Sequence, residues 1–143
     1  MSEHRAAPVA AHEPPYYAVV FTSVRTPDGD GYDETARRMG ELVREIPGFL
    51  GEDSARTADG FGVTVAYFRD LAGLDEWRGD TEHRAAKDRG RRQWYERYTL
   101  HIAKVEHSHQ YERGQRPGQG AEAEPVPGRR GATGTPEGCP AAP

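Results

Sequence analysis

Residues 16–48 read YYAVVFTSVRTPDGDGYDETARRMGELVREIPG. The first ten are β-branched and aromatic with an alanine interspersed, which is a strand composition, and they stop at TPDGDG (26–31), a dense run of turn formers. Beyond it, Tyr32, Ala36, Met39, Leu42, Val43 and Ile46 recur at steps of three and four, with Asp, Glu and Arg on the other side. That period predicts an amphipathic helix, stopped by Pro47-Gly48. A strand, a turn and a helix of this kind form half of a two-layer domain.

The second half follows the same plan. FLGEDSART (49–57) and FGVTVAYFR (61–69) are candidate strands, separated by Ala58-Asp59-Gly60, whose Asp-Gly pair suits a tight hairpin with positive φ. DLAGLDEW (70–77) begins a helical pattern with Leu71, Leu74 and Trp77 on one side. Gly79-Asp80 is placed to bend or break it before TEHRAAKDRGRRQWY (81–95) resumes, and YTLHIAKVEHSHQY (98–111) closes the domain as a fourth strand. The expectation is an α+β fold, a ferredoxin-like βαββαβ sheet over residues 16–111 with both helices on one face. Both alternating sets of the first strand are apolar, Tyr17/Val19/Phe21 and Ala18/Val20/Val24, as is Phe61/Val63/Val65/Tyr67 in the third. The sheet face without helices then needs cover, and a homodimer joined sheet to sheet supplies it.

Outside this region the pattern fades. Residues 1–15 mix Ala, Pro, Glu and His without period and are expected to form a disordered N-terminal arm; residues 112–143 are a Pro/Gly-rich tail expected to be disordered too, with Arg129 and Arg130 solvated in it. The 143 residues carry a net charge of -4 with both signs interspersed, which argues against nucleic acid as a partner. No stretch has the length of a membrane span or a secretory leader, so no membrane partner is expected. The one cysteine, Cys139, lies in the tail and forms neither an internal disulfide nor a CxxC site, and the expected location is cytoplasmic.

No P-loop, GxGxxG, HExxH or GxSxG appears, so chemistry has to be sought in a pocket. On one continuous helix from Thr81, residues His83, Lys87, Gly90 and Trp94 share a stripe, bringing together an imidazole, an ammonium and an indole beside a glycine. His83 has the pKa range of a general base; its plainer role is a half-buried ring satisfied by a backbone carbonyl. Trp77 offers a flat wall for a planar substrate, or else a core anchor for the second helix. Trp94, Tyr95 and Tyr98 cluster at the helix-to-strand junction, and Tyr67 offers a phenol from the third strand. His101, His107 and His109 give an i, i+2 pair with no third ligand at metal spacing, so no metal is expected.

PGFLGEDSAR (47–56), followed by VTVAYFRDLAGLDEWRGDTEHRAAKDRGRRQWYERYTLHIAKVE (63–106), resembles the antibiotic biosynthesis monooxygenase family, in particular a bacterial subgroup with a WYxxY segment before the last strand. The resemblance runs unbroken from about Tyr16 to Tyr111. It implies a dimeric α/β barrel and, as one activity of the family, a cofactor-independent monooxygenase that oxidises a planar phenolic or quinol-like, polyketide-type substrate with dioxygen. Trp77 matches the family's second-helix tryptophan and His83 the histidine that follows it. On this reading His83 is the base or proton shuttle and Trp77 the positioning wall, the catalytic pair, while the residues themselves suggest Tyr67, Trp94 and Lys87 as substrate-binding. Two alternatives stay open: a haem-binding or haem-degrading protein, and a non-catalytic dimeric binding or stress protein. Haem-degrading relatives place an asparagine on strand one and an axial histidine farther along the helix; here strand one reads VVFTSVR and Lys87 stands near the histidine's place.

Overall fold

A computed structural model describes residues 6–114. Residues 1–5 and 115–143 lie outside the described residues, and with them the expectations for most of the tail, Arg129, Arg130 and Cys139. The β-branched run becomes β1 (Tyr16–Arg25), followed by α1 (Tyr32–Val43), β2 (Phe49–Arg56), β3 (Phe61–Phe68), α2 (Leu71–Gly79), α3 (Thr81–Arg89), a π-helical turn (Gly90–Trp94) and β4 (Tyr95–Val105). The four strands form one antiparallel sheet in the order β2-β3-β1-β4. This is the expected α+β, ferredoxin-like arrangement. Within one chain the sheet is open; it does not close into a barrel.

Register decides which side chains face the helices. Tyr17 stands opposite Phe68, Val19 opposite Ala66, Phe21 opposite Thr64 and Ser23 opposite Gly62, and on the other side Val19, Phe21 and Ser23 stand opposite Ile102, Leu100 and Tyr98. Directly opposed residues share a face, so these line the helix side. The core there is small: Val43, Ile46, Phe68 and Leu74 are buried, with Val19, Phe49, Ala66 and Trp77 packed around them. It sits toward β2 and β3. Over β4 the helices leave the sheet uncovered, with Leu100 48% and Ile102 42% exposed.

Gly73 lets α2 approach this core. A Cβ at that position would stand 2.6 Å from the Pro47 carbonyl oxygen, which is backbone and cannot swing aside. Gly73→Ala should therefore cost about 1–3 kcal/mol by overpacking, read as a lower urea midpoint at unchanged slope; an unchanged midpoint would show that α2 has room to shift.

Four features depart from the sequence expectations. The second helix divides at Asp80, whose backbone is extended and whose carboxylate accepts the His83 N–H at 2.9 Å, so that it caps a new helix. That helix does not continue as α-helix to Trp94 but widens into the π turn. β4 starts at Tyr95 and ends at Val105, where its partner β1 begins at Tyr16; His107 and His109 lie beyond the ladder and are not a strand pair. Finally, residues 6–15, expected as a free arm, lie against the domain. The Val9 N–H donates to Asp53 Oδ1 at 3.0 Å and the Val9 side chain covers Gly51; Ser108 Oγ donates to the His12 carbonyl, and the His12 ring meets Tyr16 edge-on at 5.9 Å. These contacts cover one end of the sheet face away from the helices.

Candidate functional site

The break at Asp80 builds the site. Asp70 caps α2 by accepting the Gly73 N–H at 3.0 Å, and Trp77 follows the buried Leu74 by three residues, so its indole reaches the core while one side stays open. Asp80 then turns the chain back. The His83 ring stacks on Trp77 with centroids 3.9 Å apart and planes 14° from parallel, and His83 Nδ1 lies 3.0 Å from the Trp77 carbonyl oxygen. A carbonyl only accepts, so Nδ1 carries the proton and Nε2 holds the lone pair. Among the described residues nothing bonds to Nε2. One nitrogen is thus satisfied by backbone, as in the plainer of the two expectations, and the other keeps its lone pair.

Burial, the largest influence, lowers the pKa of His83 below the usual histidine range; the Trp77 carbonyl and Asp80 oppose this, while the Lys87 charge adds to it. The ring is neutral at neutral pH, as a base must be. The same shift ties stability to pH. The unfolded chain binds this proton more readily than the folded one, so the contribution is full above the ordinary histidine value of about 6.5 and is lost as pH falls toward the lower folded value. Urea unfolding at pH 7.5 and 5.5 should show the wild type losing more stability on acidification than His83→Gln. An equal loss in both would remove His83 as the cause.

Lys87, one turn after His83, has its ammonium pKa lowered, first by burial and then by the charges of Arg78, Arg91 and Arg84, with Tyr98 acting the other way. Its Nζ has no carboxylate partner among the described residues. An open groove of about 540 Å³ runs beside it, lined by Arg78, Thr81, Arg84, Ala85, Lys87, Asp88 and Arg91. The groove is strongly cationic but includes neither His83 nor Trp77. Arg91 Nη1 donates to the Tyr98 hydroxyl at 3.3 Å, linking the end of this flank to β4.

The other two expected site residues stand elsewhere. Tyr67 faces the opposite side of the sheet, edge-on to Tyr16 at 5.8 Å and near Asp53, because its register with Ala18 puts it out of phase with Val19 and Ala66. It does not meet His83. Trp94 is buried and donates from Nε1 to the Asp30 carbonyl at 3.0 Å, with Tyr32 edge-on at 5.5 Å and Arg89 4.7 Å from its ring. The π turn takes it off the His83 stripe, and it anchors the β1–α1 loop.

Sequence reasoning missed a polar cluster at the far end of the helix-facing side. The Arg25 guanidinium lies 3.5 Å from the Tyr32 ring centre and that of Arg56 6.0 Å from it. Arg56 donates to the Gly60 carbonyl at 2.7 Å and to Ser23 Oγ at 3.3 Å. Tyr95 packs edge-on against Tyr32 and Phe21; burial and then Tyr32 raise its phenol pKa, opposed by Arg56 and Arg25. The signal was present, since Arg25 follows the inward alternation Val19, Phe21, Ser23 and puts a charge at its last position.

Among the described residues no three His, Cys, Asp or Glu side chains gather as a metal site, and no helix is long and apolar enough to cross a membrane.

Known proteins share this fold. The family model described as antibiotic biosynthesis monooxygenase matches residues 15–89, just over half the chain. The uncharacterized protein YqjZ of Bacillus subtilis (strain 168) is 52% identical over 94 residues, spanning 66% of this chain and 82% of its own length. Among solved structures, SnoaB from Streptomyces nogalater, a cofactor-independent oxygenase, superposes with a TM-score of 0.53 at 12% identity, covering 71% of this chain and 100% of that one. Rv0793 from Mycobacterium tuberculosis gives 0.53 at 20% identity, over 63% and 92% of the two chains. At these identities the likeness of the structures is one of fold.

Proposed function

This chain belongs to the antibiotic biosynthesis monooxygenase family, and from that premise we propose that it is a cofactor-independent monooxygenase for a planar phenolic or quinol-like substrate of the polyketide type. The observation that carries the reading is His83, a neutral imidazole with its tautomer fixed by the Trp77 carbonyl, its Nε2 free and an aromatic wall stacked beneath it. The fold shared with SnoaB, itself a cofactor-independent oxygenase, supports it.

In this mechanism Nε2 removes a proton from the substrate, and the Lys87 charge stabilises the electron-rich anion that results. The anion transfers one electron to dioxygen, and the radical pair joins as a carbon-bound peroxide. Loss of a second substrate hydrogen and cleavage of the O–O bond leave a carbonyl on the ring and release water. One oxygen atom enters the product and the other leaves as water; both electrons come from the substrate, so no external reductant is needed. Trp77, stacked on the imidazole, holds the plane of the base. The test is oxygen uptake by metal-depleted protein with anthrones, naphthols and quinols. Uptake equimolar with product supports the proposal. No uptake with any of them, together with a Soret band on adding hemin, would overturn it in favour of haem chemistry.

The working unit is a homodimer of cytoplasmic protein, joined through the sheet face away from the helices. On that face Val20, Val24, Val63 and Val65 are only half-buried and Phe61 is 41% exposed, while residues 6–15 cover just the end near Tyr16. Sedimentation at micromolar concentration should show a dimer, and Val63→Glu should give monomers. A monomeric wild type would contradict this.

A further inference from the structure

Arg25 is an unusual interior residue. Its Nε is buried and has no hydrogen-bond partner, and none of its guanidinium N–H groups is bonded among the described residues. Neither Arg25 nor Arg56 has a carboxylate partner there. Two half-buried cations on one tyrosine ring repel each other, and a donor without an acceptor is costly inside a protein. The fold nevertheless makes room for them. A Cβ on Gly62 would stand 2.6 Å from Arg56 Cζ, so the guanidinium lies directly over β3 backbone that glycine leaves clear.

A guanidinium whose carbon lies 3.5 Å from a phenol ring centre still carries its N–H fork at its own edge, where a planar oxyanion can accept two bonds. Ser23 Oγ accepts from Arg56 at 3.3 Å, and the Tyr32 and Tyr95 rings meet edge-on at 6.3 Å in the same cluster. The cluster is not sealed, because Arg25, Tyr32, Arg56 and Tyr95 all keep part of their surface in solvent. Along β1, four residues, about 13 Å at the strand rise, separate Ser23 from Val19, which shares the core cluster of Trp77. Between them lies Phe21, half-buried, with Tyr95 and Tyr98 against its ring at 5.3 and 5.0 Å. An aromatic floor thus runs from the cationic end toward the base.

We propose that Arg25 and Arg56, set around Tyr32, form a carboxylate-recognition site, and that the aromatic substrate carries a carboxylate which docks there while its oxidisable ring extends toward His83. The second half rests on the monooxygenase reading; the first stands without it. The experiment is calorimetric titration of the full-length protein with 2-naphthoate and with its neutral counterpart 2-naphthalenemethanol, each in the presence and absence of inorganic phosphate. Naphthoate should bind roughly tenfold or more tightly than the alcohol, and phosphate at equal concentration should not displace it. Arg25→Met should abolish the preference, Arg25→Lys should reduce it several-fold by keeping charge without the fork, and the exposed Arg97→Met should leave it intact. Equal binding of the two ligands, a preference that survives Arg25→Met, or displacement by equimolar phosphate would each overturn the site. A preference for naphthoate in a protein that consumes no oxygen would keep the carboxylate site and reject the oxidation.

Discussion

His83→Ala is expected to lower turnover by roughly 10²-fold or more, because it removes the ring beside Trp77 whose free nitrogen accepts the substrate proton in this mechanism. KM and secondary structure should stay near wild type. The stability cost should be modest, about 1 kcal/mol for one side-chain to backbone bond, since the Asp80 cap uses the His83 backbone N–H and survives the substitution. Added imidazole should restore part of the activity by entering the vacated space above Trp77. Full activity in the variant would dismiss the general-base role. Loss of the folded circular dichroism spectrum would place His83 among the structural residues instead.

Trp77 should behave differently, because its ring serves both the core and the site. One face packs against the cluster of Val43, Ile46, Phe68 and Leu74, and the other carries the His83 ring. Trp77→Ala should cost about 3 kcal/mol, the low end for deleting a large aromatic, since the indole is only partly buried. It should also lower turnover, because the stack that orients His83 is gone. Trp77→Phe keeps a flat ring and should retain the fold, with a raised KM and a few-fold loss in kcat. Denaturant midpoints and kinetics on the same preparations separate the two effects. A Trp77→Ala protein as stable as wild type would show that the indole is wall alone.

What is legible in the sequence follows from how local each signal is. β1 is readable because a ten-residue run rich in β-branched and aromatic side chains ends in a turn cluster, and α1 because its apolar stripe keeps one period over three turns. The pairing of Trp77 with His83 depends on the Asp80 break, and Gly79-Asp80 gives a visible hint of it. The π turn does not show: apart from Gly90, GRRQW has ordinary helix residues, and what accompanies the widening is tertiary, with Gly90 against the Tyr95 ring and Trp94 reaching the Asp30 carbonyl. A stripe drawn on an unbroken α-helix therefore misplaces Trp94. Tyr67 joins the pocket only while its register is unknown, since a strand residue belongs to one face or the other once its partner is fixed. The stretch around Val9 and His12 lacks any period because it combines two isolated side-chain contacts, Val9 on Gly51 and His12 on Tyr16, with backbone bonds to Asp53 and Ser108, which leave no repeating pattern. Arg25 does carry a readable signal, a charge in phase with an apolar face at the end of a strand.

Metal-depleted protein supplied with ¹⁸O₂ and an accepted anthrone or quinol, in buffer of ordinary water, tests the monooxygenase chemistry most directly by mass spectrometry of the product. The proposed mechanism predicts one ¹⁸O atom per product molecule, one dioxygen consumed per product and no requirement for added flavin, haem or metal. Product free of ¹⁸O, or turnover that appears only when one of those cofactors is restored, would contradict it.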